Sequence, residues 1–278
     1  MKLRVVELLL ITTLPALFLA SKGFPSLKIT LATLIGGTLA AGASNAFNMI
    51  IEVDSDKLMA RTSNRPVASG EISVSNAFYF ASVLTFVSLV IFSIFTNILA
   101  TVLTGAAIVI YVFGYTIVLK RRTDQNIVWG GIAGCMPVLI GWAAVTNSLS
   151  ITAWLFFLVI FFWTPPHFWA LAIKYKDDYS AAGIPMLPVV APMKSVRNQI
   201  WFHSVAMVLV SGATIYFSKI GWWIWIPTII LSLLFLKEVK ALSGSESTKA
   251  AGRLFHWSIT YLSVFSLALV IGALFLNP

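Results

Sequence analysis

Two long stretches without a charged side chain constrain this chain more than any other feature. No Lys, Arg, Asp or Glu occurs between Glu71 and Lys120, or between Asp124 and Lys174, and each stretch is about 50 residues long. A membrane-spanning helix needs ~20 apolar residues, so each stretch has room for two spans and a short turn. Backbone groups in lipid must bond internally, which favours helices; the ten-residue alternation of a membrane barrel does not occur.

The composition supports the same fold class. The chain is 59% hydrophobic and 10% charged, whereas about a quarter of the residues in soluble domains are charged. The sequence therefore predicts an all-α polytopic membrane protein in which residues 1–278 form one domain. The single cysteine, Cys135, excludes an internal disulfide framework and a cysteine-rich metal site.

Apolar runs predict nine membrane spans. They cover 5–21, 29–51, 75–96, 98–119, 127–146, 150–173, 200–218, 220–236 and 254–276. The first resembles a secretory signal, but Glu7 interrupts that pattern, so we expect a membrane span there. Gly130 and Gly134 form a small-xxx-small pair that would allow close helix contact.

The distribution of basic residues predicts the orientation in the membrane. Nine spans place the termini on opposite faces, and all 19 Lys and Arg except Lys22, Lys28 and Lys219 fall at the N-terminus or in the even-numbered loops. Positive charge stays cytoplasmic. We therefore expect a multi-pass protein of the cell membrane whose N-terminus and polar loops are cytoplasmic. The net charge of +9 then reflects topology and not nucleic-acid binding.

The stretch "NMIIEVDSDKLMARTSNRP", residues 48–66, concentrates charge at the end of the second span. Asn48, Glu52 and Asp56 recur four residues apart, which stacks them on one helical face, with Asp54 roughly opposite Asp56. Acids this close repel one another, so a positive partner should compensate. Oxygen ligands at this spacing suit a hard cation such as Mg²⁺.

Basic residues follow these acids. Arg61 and Arg65 lie four apart, and guanidinium groups match phosphate oxygens bidentately. Lys120 and Arg121 could complete an anion site. Carboxylates beside arginines are the pattern expected for a metal-diphosphate substrate. Two alternatives stay open: a salt-bridge network between the same acids and arginines, and an ordinary basic cluster that ends a span at Lys120.

A second polar segment, "FFWTPPHFWALAIKYKDDYSAAGIPMLPVV", covers residues 161–190. His167 and Lys174 lie two helical turns apart on one face. Asp177 and Asp178 follow and could hold a second metal or orient a substrate. The alternatives are a packed histidine and two acids that cap or solvate a loop.

Prolines and aromatic residues shape the same segment. Four prolines, Pro165, Pro166, Pro185 and Pro188, predict a shaped segment and not a plain helix. Aromatic faces can stabilise a cation, although packing alone would also account for them. The aromatic candidates are Phe161, Phe162, Trp163, Phe168 and Trp169.

The polar motifs resemble a known family. The spacing of Asn48, Glu52 and Asp56 resembles the first aspartate-rich motif of the UbiA superfamily of intramembrane prenyltransferases. The strings "DKLMARTSNRP", "KRRTDQNIVWGGIAGCMPVLIGW" and "FFWTPPHFWALAIKYKDDYSAAGIPMLPVV" look like its protohaem IX farnesyltransferase branch. The resemblance covers about residues 36 to 195, and the last three spans match mainly in hydropathy.

The resemblance implies a bundle of nine helices around a central cavity, with Mg²⁺-assisted ionisation of farnesyl diphosphate. The resulting farnesyl cation would be captured by the 2-vinyl group of haem B and water, giving haem O. The haem O would serve a terminal oxidase directly or through haem A synthase. The implied catalytic residues are Asn48, Glu52, Asp56, Lys120 and Asp178. The implied metal ligands are Asn48, Glu52, Asp56, Asp177 and Asp178. The diphosphate would bind Arg61, Arg65, Lys120 and Arg121, and haem would contact His167, Lys174, Trp163 and Tyr115.

Departures from the superfamily pattern leave alternatives. Glu52 stands where an aspartate is usual, and His167 and Lys174 occupy positions where relatives with phenol or quinone acceptors carry Asp. This weakens the expectation of a second Mg²⁺ and fits haem, which offers propionates and iron. The rivals are a prenyltransferase for an aromatic acid, chlorophyllide or a lipid alcohol, a transporter, and a structural oxidase subunit. Transporters usually carry ionisable groups near the bilayer midplane, which these charge-free runs leave bare.

Overall fold

Helices account for nearly all of the structure. The computed structural model describes residues 3–59, 62–243 and 248–275, and within those ranges it contains no strand. The helices of the first half are α1 (Leu3–Ser21), α2 (Leu27–Ile51), α3 (Val53–Leu58), α4 (Val74–Phe95), α5 (Ile98–Val109) and α6 (Asn126–Thr146). Helix α5 continues without a break as a π-helical segment, Ile110–Leu119.

The second half begins with the longest buried helix. Its helices are α7 (Ile151–Lys174), α8 (Lys176–Ala181), α9 (Leu187–Val190), α10 (Met193–Ser218), α11 (Trp225–Ser243) and α12 (Thr248–Leu274). A 3₁₀ turn, Trp222–Ile224, leads into α11. Helix α7 packs against α6, α10 and α12. Its buried side chains, among them Trp169 and Phe156, form much of the main apolar core.

The predicted fold class is confirmed. Among the described residues, eight helices are long and apolar enough to cross a membrane, and the apolar part of α1, Ile11–Ser21, is shorter. Side-chain caps begin three of the spans. Ser73, Asn97 and Ser150 each accept a hydrogen bond from a backbone N–H three residues later, at the starts of α4, α5 and α7.

The predicted ends of the last three spans were wrong. Helix α10 begins at Met193 and not near 200, α11 continues to Ser243 and not 236, and α12 begins at Thr248 and not 254. Each extra stretch carries lysine or arginine, which favour helices but lower the hydropathy. Hydropathy marked where the apolar part stops, whereas the helix itself runs further.

The expectation of a shaped segment is confirmed after Lys174, where two short helices follow, but it was wrong at Pro165 and Pro166. Helix α7 runs through both prolines without interruption. A membrane setting tolerates proline within a helix because side chains and neighbouring helices can satisfy the freed carbonyls. The freed carbonyls are those of Phe161 and Phe162, four residues before each proline. The Thr164 hydroxyl donates to the preceding carbonyl, that of Ile160, at 2.8 Å.

The glycine pair in α6 has one close contact and one open position. A Cβ atom at Gly130 would overlap the ring of Tyr115, whereas a Cβ at Gly134 would meet nothing within 4 Å. Next to Gly130, a Cβ at Gly131 would lie 3.1 Å from Thr164 of α7. Close approach of neighbouring elements therefore depends on Gly130 and Gly131, and Gly134 takes no part in it.

Candidate active site

Three polar side chains share one face at the junction of α2 and α3. Backbone hydrogen bonds run from Glu52 N–H to the Asn48 carbonyl at 3.0 Å, and from Asp56 N–H to the Glu52 carbonyl at 2.8 Å. The helical register therefore continues through Glu52 although the two helices are assigned separately. Asn48, Glu52 and Asp56 are 3%, 4% and 3% exposed. The side chain of Asp54, in contrast, is 93% exposed and pairs with Lys57 at 3.9 Å.

Two cations from different parts of the chain neutralise the buried acids. Arg65 Nη1 donates to Asp56 Oδ2 at 2.5 Å and lies 3.9 Å from Glu52 Oε2. Lys120 Nζ, at the end of the π-helical segment, pairs with Glu52 Oε1. The structure thus brings together five predicted site residues as two carboxylates, one amide and two cations. Removing one partner of such a buried pair typically costs about 3–5 kcal/mol, because the other charge stays buried.

Neighbouring hydroxyls and an amide support this cluster. Thr62 donates to the Asp56 carbonyl at 3.0 Å, and Ser55 donates to the Glu52 carbonyl at 3.0 Å. The amide nitrogen of Asn126, the first residue of α6, donates to the Lys120 carbonyl at 3.1 Å. These bonds fix the backbone from which Glu52, Asp56 and Lys120 extend their side chains, so the cluster is held in place from both sides.

A second polar group surrounds His167 on α7. Its imidazole lies between the rings of Trp163 and Phe255, with centroid distances of 4.3 and 4.6 Å. Its Nδ1 atom is 2.8 Å from the Ser258 hydroxyl. The alternative of a packed histidine is therefore realised. The side chain is nevertheless only half-buried and also makes a specific hydrogen bond.

The Ser258 hydroxyl determines the tautomer of this histidine. A serine hydroxyl has one proton, and Ser258 donates it to the Phe255 carbonyl at 2.6 Å. With that bond made, the same oxygen accepts toward His167, which favours the tautomer with the imidazole proton on Nδ1. In a neutral imidazole the other nitrogen, Nε2, then carries the lone pair.

The remaining predicted residues lie at varying distances from the acidic cluster. Tyr115 is on the π-helical segment, and Lys120 Nζ lies 5.9 Å from its ring centroid. Lys174 is exposed, with its Nζ 5.4 Å from the Tyr175 ring. Arg121 is exposed. Arg61 lies outside the described residues.

Asp177 and Asp178 occupy the first turn of α8, where carboxylates interact favourably with the helix dipole. Asp177 is exposed and Asp178 is half-buried. Within 3–59, 62–243 and 248–275, no group of three or more His, Cys, Asp or Glu side chains is placed to hold a metal ion. The structure therefore leaves the role of these two acids as a prediction.

The family assignment rests on a match across most of the chain. The model of the UbiA prenyltransferase family matches residues 9–259.

The chain belongs to the UbiA prenyltransferase family.

Curated relatives of this UbiA family member share nearly its whole length. A protein from Streptomyces avermitilis named protoheme IX farnesyltransferase is 47% identical over 276 residues, covering 97% of this chain and 90% of that protein. The family model and this relative therefore agree on one class of protein.

Solved structures share the fold of this UbiA family member at low identity. A digeranylgeranylglyceryl phosphate synthase structure matches with a TM-score of 0.80 at 18% identity, covering 98% of this chain and 99% of that one. A UbiA homolog from Archaeoglobus fulgidus, bound to GPP and Mg²⁺, matches with a TM-score of 0.66 at 16% identity, covering 97% and 98%. These likenesses establish the all-helical membrane fold.

Sequence reasoning missed two site residues of this UbiA family member. Thr116 accepts a hydrogen bond from the Asn48 amide, and Ser258 orients His167. Thr116 lies four residues before Lys120, the spacing that separates Asn48 from Glu52, so a search for matching spacings on two spans could have found it. Ser258 offered no such signal, because its partner is 91 residues away in the chain.

Proposed function

We propose that this chain transfers a farnesyl group from farnesyl diphosphate to the 2-vinyl group of haem B, with addition of water, giving haem O. One observation carries the proposal: a buried face of Asn48, Glu52 and Asp56 is matched by two cations, Arg65 and Lys120. A relative named protoheme IX farnesyltransferase, 47% identical over 276 residues, supports the choice of substrates.

The reaction breaks the bond between the farnesyl carbon and the diphosphate oxygen, and the diphosphate leaves with the electron pair. The vinyl π electrons of haem form the new carbon–carbon bond. Water then adds its oxygen to the remaining vinyl carbon and releases a proton. The protein must therefore stabilise a departing anion and protect a carbocation from premature capture by water.

The charges of the cluster suit the first of these tasks. Arg65 and Lys120 are held at a buried site by the carboxylates of Glu52 and Asp56. A bound diphosphate can pair with the same cations, because guanidinium and ammonium groups both bind phosphate oxygens. The carboxylates are then released from their ion pairs and become free to bind the divalent cation that accompanies the diphosphate. We propose that binding proceeds by this exchange of partners.

The donor set fits a divalent cation, which we propose to be Mg²⁺. Asn48, Glu52 and Asp56 offer oxygen atoms on one buried face, and hard cations of this kind prefer oxygen ligands. Bound Mg²⁺ supplies Lewis acidity and a template for the diphosphate oxygens. Asp177 and Asp178 are proposed as further ligands or as groups that orient the substrate. Asp178 is half-buried, whereas Asp177 is exposed.

The acceptor site is proposed to lie beside His167. Its Nε2 atom carries the lone pair, which suits either an iron ligand or a hydrogen-bond acceptor. Trp163 and Phe255 hold the ring on both faces, so the nitrogen has a fixed direction. Lys174 is proposed to meet a haem propionate, and Tyr115 to contact the porphyrin edge.

The setting of the site completes the proposal. We infer that the N-terminus and the polar loops face the cytoplasm, and that the C-terminus lies on the other side of the cell membrane. The lipid bilayer would admit the farnesyl tail from the side. The product would pass to haem A synthase or to a terminal oxidase.

A product assay with competing acceptors tests this proposal. Membranes containing the protein are supplied with labelled farnesyl diphosphate, Mg²⁺ and either haem B or 4-hydroxybenzoate. Label should enter the haem fraction as haem O and should not enter the phenol. If label entered the phenol instead, the chain would be a prenyltransferase for another acceptor. If farnesyl diphosphate were consumed but label entered neither acceptor, the haem assignment would be overturned.

A further inference from the structure

Helix α2 and the π-helical segment that continues α5 face each other in a constant register. Asn48 donates to Thr116, and Lys120 pairs with Glu52; both pairs are separated by 68 positions in the chain. Equal offsets require the two elements to run in the same direction. Thr116 therefore lies one turn before Lys120 on the face that meets the proposed metal ligands.

The π-helical segment creates this face. The Thr116 hydroxyl donates to the Tyr111 carbonyl at 3.0 Å, and the Lys120 N–H donates to the Tyr115 carbonyl at 2.9 Å. Both bonds reach back five residues instead of four. Segments of this kind are rare, are mostly a single turn long, and occur frequently at functional sites. Here the segment extends over ten residues and ends at Leu119, directly before Lys120.

Proton counting fixes the direction of the bond between Thr116 and Asn48. The threonine hydroxyl has one proton, which it donates to Tyr111, so toward Asn48 it can only accept. The Asn48 amide must therefore turn its nitrogen toward Thr116, at 3.3 Å. Asn48 and Thr116 are 3% and 5% exposed, so bulk water cannot replace this bond.

We propose that Thr116 is a positioning residue that orients the Asn48 amide so that its oxygen, and not its nitrogen, serves the divalent cation. The inference rests on the metal site of the proposed function. An amide turned the other way would present an NH₂ group, which cannot bind a cation. Partners that orient metal ligands are typically worth roughly 10-fold to 100-fold in metal affinity.

Purified protein in detergent allows a direct test with Mn²⁺ as the probe, measured by electron paramagnetic resonance without substrates. Thr116→Val should raise the dissociation constant for Mn²⁺ by roughly 10-fold to 100-fold, and Thr116→Ser should restore it. Thr104→Val is the matched control. Thr104 is equally buried on α5, but its hydroxyl donates to Ala100 of the same helix at 2.8 Å, so the variant should bind like wild type.

Repeating the Thr116 substitution in Asn48→Asp protein separates a loss of amide orientation from a general loss of structure. A carboxylate presents oxygen whichever way it turns, so in Asn48→Asp protein the change Thr116→Val should alter Mn²⁺ affinity little. An equal loss in both backgrounds would overturn the inference. Should the valine variant fail to fold, as judged by thermal unfolding, Thr116→Ala removes the same hydroxyl with a smaller side chain.

The outcomes also separate this inference from the proposed function. If Asn48→Ala lowers Mn²⁺ affinity but Thr116→Val does not, the metal site stands and the role of Thr116 is refuted. If wild-type protein binds no Mn²⁺, or Asn48→Ala binds as wild type does, the metal role proposed for Asn48 fails, and the inference fails with it.

Discussion

Two hydroxyl groups determine which atoms the polar residues present. Ser258 and Thr116 each donate their only proton to a backbone carbonyl and so can only accept from a side chain. These contacts favour the Nδ1 proton on His167, next to Ser258, and point the amide nitrogen of Asn48 toward Thr116.

His167 provides a prediction at this scale. Phenylalanine can keep the aromatic stacking with Trp163 and Phe255, but it has no nitrogen for haem. We expect His167→Phe to weaken haem binding by at least about 10-fold, with little change in thermal stability. Haem titration followed by Soret absorbance measures the affinity.

The control for this prediction is His256→Phe. His256 is exposed on α12, and its Nδ1 atom lies 2.7 Å from the Gly252 carbonyl of its own helix. This variant should bind haem as wild type does. Unchanged affinity in His167→Phe would remove His167 from the haem site and leave it a packing residue.

At the scale of helices, close approach of α6 to the π-helical segment sets the position of Lys120. A Cβ at Gly130 would overlap the Tyr115 ring, and Tyr115 precedes Lys120 by little more than one turn. The contact between glycine and ring therefore links the α6 backbone to the cation that neutralises Glu52.

Glycine substitutions test this contact. Gly130→Ala should destabilise the protein by about 1–3 kcal/mol, because the Tyr115 ring must move. Gly134→Ala lies one turn further along α6 with open space around it, so it should be neutral or slightly stabilising. Thermal unfolding in detergent compares the two. Equal stability of both variants would show that the ring moves without cost.

Much at this scale was predictable from sequence. The apolar runs located the first six long helices to within two residues at each end, because apolar length sets a membrane span. The four-residue spacing placed Asn48, Glu52 and Asp56 together and Asp54 apart, because the helical period alone decides this.

Other features depended on contacts between distant segments. The alternative of ion pairs among the acids and arginines is realised for Arg65, but pairing of Lys120 with Glu52 spans 68 positions, which no local pattern reveals. The π-helical segment carries no proline or glycine pair that marks it, and its register depends on packing against α2 and α6. The helical path through Pro165 likewise depends on neighbours that sequence spacing does not show.

At the scale of the whole molecule, the polar cluster lies at one end of an apolar bundle. Helix α2 ends there at Ile51, directly before Glu52, and the π-helical segment that continues α5 ends there at Leu119, directly before Lys120. The positive-inside rule assigns that end to the cytoplasm. Surface labelling tests the assignment through two exposed positions, Asp54 and Lys219, which are predicted to lie on opposite faces.

The expected labelling depends on the membrane preparation. A membrane-impermeant maleimide should label Lys219→Cys in intact spheroplasts and Asp54→Cys in inverted vesicles. Wild-type protein provides the blank, because Cys135 is fully buried. The reverse pattern would place the active-site end outside the cell and contradict the proposed orientation.

The most direct measurement compares two acids in the same short helix, α3. Asp56 is buried against Arg65, whereas the Asp54 side chain is 93% exposed. Conversion of haem B to haem O is followed by chromatography at increasing Mg²⁺, with thermal unfolding as a check on folding. The account predicts that Asp56→Asn loses at least about 100-fold in turnover, as removal of one preorganised charge-stabilising group does, and that Asp54→Asn keeps wild-type activity. Folded Asp56→Asn protein with wild-type turnover and Mg²⁺ dependence would contradict it.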